Sequence, residues 1–179
     1  EQKARYAGKW AAMAITEPSF GSDSSAVSTT ARKDGDEYVL NGEKIFVTSG
    51  ERADSVVVWA TLDKSLGRAA IKSFLVKKGT PGFTVERLEE KLGIRASDTA
   101  TLRLDNVRVP AENLLGSPDI DVKKSFAGAM ATFDNTRPLV AGFAIGVSRA
   151  ALEELRRILE EAGVEIDYDK PAFAQHAAV

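Results

Sequence analysis

The stretch that decides the fold is AVSTTARKDGDEYVLNGEKIFVTSG, residues 26–50. Short and polar side chains alternate through its first part, Asp34-Gly35-Asp36 marks a turn, and Tyr38 and Leu40 take up the alternation again. Asn41-Gly42 follows, and because both residues tolerate positive φ it predicts a second hairpin turn. Outward from there the same texture continues. DSVVVWATL (54–62) and AIKSFLVKKG (70–79) read as apolar strands, and GFTVERLEEKLG (82–93) alternates at its start. TATLRLDNVRVP (99–110) alternates cleanly, with Leu102 and Leu104 on one face and Arg103 and Asp105 on the other. Short strands at this spacing, parted by turn residues, predict an antiparallel barrel or sandwich.

Helical texture flanks this β region. Residues 1–13 are rich in alanine, with Tyr6 and Trp10 on one helical face, and Pro18 ends that segment in a loop over 16–25. Past residue 118, the run from Val122 to Glu161 predicts a long helix capped by Gly163. Pro138 either kinks it or opens a second helix. Gly142 and Gly146 share a face among alanines, so this helix is expected to take a closely packed partner. The predicted class is α+β, an antiparallel barrel-like β-domain between helices.

Composition narrows the function. The 179 residues are 44% hydrophobic and 28% charged, as in ordinary folded proteins, and the net charge of −2 argues against a nucleic-acid face or a polybasic membrane anchor. No apolar run reaches membrane-spanning length and the first residues lack the layout of a signal peptide, and the lack of cysteine fits a cytoplasmic setting, which is expected. There is no cysteine, and His176 is the single histidine. Thiol chemistry, a Ser/His/Asp triad and a metal cluster are therefore not expected.

Four segments carry candidate chemistry. AITEPSFGSDSS (14–25) sets the hydroxyls of Thr16, Ser22, Ser24 and Ser25 around Gly21, either as a surface turn or as a loop holding a flat polar ligand. In KIFVTSG (44–50), alternation gives Phe46 and Thr48 one face, suited to a planar ligand that meets a ring and a hydroxyl together. Arg95 and Ser97 precede the strand at 99–110. Asp134 and Arg137 stand one helical turn apart, a spacing that an ion pair also explains.

In order and spacing these segments resemble the acyl-CoA dehydrogenase family of flavoproteins. ITEPSFGSD (15–23) is similar to its Thr-Glu-Pro…Gly-Ser-Asp signature, GEKIFVTSG (42–50) to its Lys-x-Trp-Ile-Thr-Asn strand, and KLGIRASDTATLRLDNVRVPAENLLG (91–116) to its next signature. FDNTRPLVAGFAIGVSRAALEEL (133–155) resembles the first long helix of its C-terminal domain. The resemblance divides the chain into the end of an N-terminal helical domain (1–13), a β-barrel middle domain (14–117) and the start of a C-terminal helical domain (118–179).

It implies FAD as cofactor and dehydrogenation of an acyl-CoA thioester to the trans-2-enoyl product, with electron-transferring flavoprotein as electron acceptor. It further implies a homo- or hetero-tetramer built through the C-terminal helices. Thr16 would hydrogen-bond the flavin, Ser22 would sit where FAD meets the thioester, and the backbone beside Met13 and Ile15 would line the same wall. Thr48 would meet the pyrimidine side and Phe46 would cover the ring. Arg95, Ser97, Asp134 and Arg137 are the implied substrate contacts.

Departures from the family pattern matter. Phe46 replaces the usual tryptophan and Met13 the usual aromatic. Where the family carries Arg-x-x-Phe-Gly, whose arginine reaches a neighbouring subunit's pyrophosphate, this chain reads EIDYD (165–169). Glu165 would repel that phosphate, which implies a chain that does not complete its neighbour's FAD site. No catalytic residue is assigned: the base of most members falls beyond 179, and Thr136 stands where a subset places it, so the chain as it stands is expected not to catalyse. The competing readings are a non-catalytic partner subunit of a heteromeric enzyme, and a flavin oxidase or monooxygenase of the same superfamily.

Overall fold

A computed structural model describes residues 8–120, 127–171 and 174–175. Tyr6, the predicted helix over 1–7, the stretch 121–126 and His176 lie outside the described residues. Contacts divide the chain into two units, Glu1–Ala127 and Gly128–Val179.

The first unit is one mixed sheet of eight strands: β1 (Ala11–Ala14), β2 (Thr30–Asp34), β3 (Glu37–Thr48), β4 (Ser55–Thr61), β5 (Ile71–Lys77), β6 (Phe83–Leu88), β7 (Thr99–Pro110) and β8 (Leu114–Leu115). The order is β6-β7-β3-β2-β4-β5-β8, with β1 paired to β4 off this path, and the sheet does not close. The α+β class stands. The pairing is antiparallel except where β1 and β2 each run parallel to β4. Side-chain alternation has period two in either direction, so the sequence pattern does not separate the two kinds of pair.

Two local expectations are corrected. Residues 11–13 are strand, not helix. Ala12 and Ala14 face the core and Met13 faces out, in register with Val56, Val58 and Val57. The helix propensity of alanine gives way here to pairing along an apolar strand. Asn41-Gly42 is not a turn, since β3 runs through it unbroken. The register against β7 shifts there, because β7 carries an extra residue at Asn106, φ +52. The turn at 34–36 is real: β2 and β3 join through Gly35 and Asp36, with Gly35 at φ +60.

The core of this unit gathers Leu40, Val56, Val58, Phe74, Val76 and Leu102, all fully buried or nearly so. Tyr38 packs obliquely on Phe74, ring centroids 5.0 Å apart. Leu102 and Leu104 point in while Arg103 and Asp105 point out, as their alternation predicts.

The second unit is α1 (Ala127–Glu161), which continues through Pro138 as one helix. Its end is a Schellman motif: Val164 N–H donates to the Leu159 carbonyl (2.8 Å), Gly163 N–H to the Glu160 carbonyl (3.0 Å), and Gly163 has φ +70.

Candidate functional site

Past Ala14 the chain runs beside β3. Ile45 N–H donates to the Thr16 carbonyl (2.9 Å), and Lys44 Nζ donates to the Ile15 carbonyl (3.2 Å). At this point β3 bulges. Lys44 faces Leu102 and Val47 faces Ala100, so β3 holds one residue more than β7, and Phe46 adopts φ +56. The extra residue keeps both Lys44 and Val47 inside and turns Phe46, 60% exposed, and Thr48 outward together. Alternation correctly gave those two a common face. The bulge decides that it is the outer one.

Met13 also faces out from β1, Ile15 and Thr16 are half-buried, and Ser22 is exposed in the loop that follows. That loop is cinched by reciprocal bonds between Glu17 and Phe20 (both 3.0 Å). The Ser25 hydroxyl donates to Asp23 Oδ1 (2.5 Å), which caps the short 3-10 turn at Ser24–Ala26. By contrast, the hydroxyls of Thr16, Ser22 and Thr48 bond no other group among the described residues.

Beneath this surface lies an ion pair between two residues of the motifs, Glu17 and Lys44. Lys44 Nζ meets Glu17 Oε1 at 2.7 Å, with side chains 0% and 3% exposed. Glu17 accepts four more hydrogen bonds: from the amide and hydroxyl of Ser28 on Oε2 (2.8 and 2.5 Å) and of Thr29 on Oε1 (2.9 and 2.5 Å). Burial pushes the Glu17 carboxyl up, but Lys44 and the two hydroxyls outweigh it and bring it down to about 2. Burial likewise pushes the Lys44 ammonium down, and Glu17 restores only part, leaving it at about 8. From the acid's side the pair is stabilising, and from the lysine's side burial costs more than the partner returns. Buried pairs commonly add little net stability, while removal of either partner strands a charge. In the unbroken β3, Lys44 stands two and four positions after Gly42 and Leu40 on the inward face, where a lysine needs a buried acid, a register that a turn at Asn41-Gly42 would interrupt.

Arg95 and Ser97 lie in the loop between β6 and β7, along a groove of about 520 Å³ shared with Glu51, Arg52, Glu89 and Asp98. Asp98 ties this loop to the end of β3. Its carbonyl accepts from Ser49 N–H (2.9 Å), and its carboxylate accepts from Glu51 N–H (3.0 Å) and pairs with Arg52 (3.3 Å). The Arg95 guanidinium is turned back onto the Lys91 carbonyl (2.8 Å), and Lys91 Nζ donates to the Ile94 carbonyl (2.8 Å) and to the Ser97 carbonyl. Asp134 and Arg137 belong to the helical unit, where they form an exposed pair at 3.3 Å.

The backbone of Thr16 is thus tied to β3 one residue before Phe46 and three before Thr48, with Met13 and Ile15 in the segment that leads to it and Ser22 in the loop that follows. The exposed ring of Phe46 and hydroxyls without a partner among the described residues mark this face of the β-unit as the candidate site.

Comparison with known proteins makes this specific. The profile of the acyl-CoA dehydrogenase middle domain matches residues 12–107. The short-chain specific acyl-CoA dehydrogenase of Clostridium acetobutylicum is 40% identical over 167 residues, covering 90% of this chain and 43% of that protein. A chain from a structure of the electron transferring flavoprotein of Acidaminococcus fermentans aligns with TM-score 0.79 at 41% identity, over 89% of this chain and 40% of that one. A glutaryl-CoA dehydrogenase from Mycobacterium smegmatis in complex with FADH2 aligns with TM-score 0.77 at 32% identity, over 95% and 41% of the two chains. The chain belongs to the acyl-CoA dehydrogenase family, and it spans less than half the length of these relatives.

Proposed function

We propose that this chain supplies the flavin-facing wall of an FAD-dependent acyl-CoA dehydrogenase that converts an acyl-CoA thioester to its trans-2-enoyl product. The observation that carries the reading is the strip of Thr16, Phe46 and Thr48, with hydroxyls that bond no other group among the described residues and a ring turned outward at a strained φ. Bound FAD would supply the acceptor for the hydride lost from the substrate. Thr16 and Thr48 donate toward the polar edge of the ring system, where preorganised donors favour added negative charge. Phe46 covers the ring face and excludes water from it. The backbone beside Met13 and Ile15 extends the wall, and Ser22 stands where cofactor and thioester meet. Arg95, Ser97, Asp134 and Arg137 are the proposed contacts to the acyl-CoA. Electron-transferring flavoprotein is the proposed redox partner, in a cytoplasmic setting, and the proposed assembly is a tetramer through the C-terminal helices. Among the described residues no helix is long and apolar enough to cross a membrane.

The test is spectroscopic. Purified native protein should show flavin absorbance, and an acyl-CoA from a panel of chain lengths should bleach it anaerobically. Bleaching by no acyl-CoA, with the flavin bands present, overturns the dehydrogenase reading in favour of an oxygen-using relative. Glu165 supports one other reading, a flavin-free partner subunit, because an exposed carboxylate stands where the resemblance expects a phosphate-binding arginine. Protein that is colourless alone and coloured only with a second kind of subunit decides for that reading.

A further inference from the structure

The Glu17–Lys44 pair lies behind the proposed flavin wall and meets it only at backbone, where Lys44 Nζ reaches the Ile15 carbonyl, and the surrounding core of Leu40, Val47 and Leu102 needs no charge to hold together. Hydrophobic contact is non-directional, however, whereas hydrogen bonds fix distance and angle. This network joins three separate parts of the chain. Lys44 of β3 grips Glu17 Oε1 (2.7 Å) and the Ile15 carbonyl (3.2 Å), on either side of Thr16. Glu17 in turn holds Ser28 and Thr29, which lead into β2. Thr29 lies across β3 so closely that a Cβ on Gly42 would stand 2.4 Å from its hydroxyl oxygen.

We infer that Glu17, Lys44 and Thr29 are positioning residues: by clamping residues 15–17 onto β3 they hold Thr16 in register with Phe46 and Thr48, so that one rigid wall receives the flavin. The inference deepens the proposed function and rests on it. An apolar pair of equal volume in place of Glu17 and Lys44 would fill the core but leave a single backbone bond, from Ile45, to direct Thr16. Because Thr16 is also tied to Ile45 N–H (2.9 Å), loosening the clamp should release that amide as well.

The experiment uses native protein stripped of flavin, with Lys44→Met, Thr29→Val and Thr29→Ser variants. Two readouts are taken: FAD affinity with the visible spectrum of the rebound cofactor, and hydrogen exchange at the Ile45 amide. Lys44→Met should weaken FAD binding by about tenfold and shift the visible bands, since a hydroxyl donor loses its fixed aim. Ile45 should exchange about tenfold faster while Val58 and Val76 keep their protection. Thr29→Val, which removes one hydroxyl and keeps the shape, should show the same changes at about threefold, and Thr29→Ser should restore wild-type behaviour. If Lys44→Met fails to fold, the Thr29 pair decides alone. Variants that melt lower yet bind FAD with wild-type affinity, spectrum and Ile45 exchange overturn the inference and leave the network purely structural. Wild-type protein that takes up no FAD overturns the proposed function instead, and the Ile45 exchange arm still decides whether the clamp exists.

Discussion

Gly42→Ala should destabilise the protein far more than a glycine substitution in a turn. A Cβ built at Gly42 comes 2.4 Å from Thr29 Oγ1 and 2.8 Å from both Thr29 Cβ and Cγ2. Thr29 must therefore move, and its hydroxyl, 2.5 Å from Glu17 Oε1, has nowhere to go without giving up that bond. Overpacking of this kind costs about 1–3 kcal/mol, and a lost hydrogen bond to a charged group about 1.5–3 kcal/mol. The expected total is about 2.5–6 kcal/mol, a fall in melting temperature of about 5–20 °C for a chain of this size. Gly35 is the control. It has positive φ but nothing within 4 Å of its would-be Cβ, so Gly35→Ala should cost only about 1–2 kcal/mol. Urea unfolding of both variants, and of Gly42→Ala combined with Thr29→Ala, completes the test. The combined variant should cost less than the sum of its parts, because the clashing hydroxyl and methyl are gone. Equal losses for Gly42→Ala and Gly35→Ala, or strict additivity with Thr29→Ala, would refute the close approach.

Three further outcomes are expected. Glu17 has a folded carboxyl at about 2 against an ordinary value of 4.5, so its contribution is complete above pH 4.5 and is lost as pH falls toward 2. At about 1.4 kcal/mol per pH unit this amounts to about 3 kcal/mol, readable as a pH slope in urea unfolding that Glu17→Gln abolishes. Gly163→Ala puts a Cβ on a residue at φ +70 in the Schellman motif, and should cost about 1 kcal/mol and fray the end of α1, seen as a small loss of helical circular dichroism. Phe46→Gly should move stability and binding in opposite directions. It relieves a phenylalanine held at φ +56, raising the melting temperature by a few degrees for about 1 kcal/mol, while FAD affinity falls with the loss of the ring.

Much of the β-unit was legible because its signals are local. The alternation in β7 and the turn at 34–36 depend only on neighbours in sequence, and both are found as expected. The misreadings share a cause at longer range. Asn41-Gly42 has the same conformational freedom whether it makes a turn or admits another chain segment, and the close approach of Thr29 is a long-range contact its own letters do not carry. Residues 11–13 carry helix formers, yet β4 offers them a partner strand. The hydroxyls of the wall were readable as candidates, whereas the ion pair behind them was not assigned, because Glu17 and Lys44 come together only when the chain after β1 lies along β3.

The bulge at Ile45 and Phe46 shows why the site needs more than composition. Counting by twos from an inward Lys44 places Phe46 and Thr48 inside the unit as well, which would leave a lysine, a ring and a hydroxyl competing for one core. One additional residue in β3 resolves this: Lys44 and Val47 both remain inside, and Phe46 and Thr48 both emerge. The backbone strain at Phe46 is the local cost of that reversal. It is sustained from both ends, by Ile45 bonded to Thr16 and by Ser49 bonded to Asp98. The same single insertion therefore creates the buried seat for the ion pair and the exposed face proposed for the flavin, so a substitution that regularised β3 would remove both together.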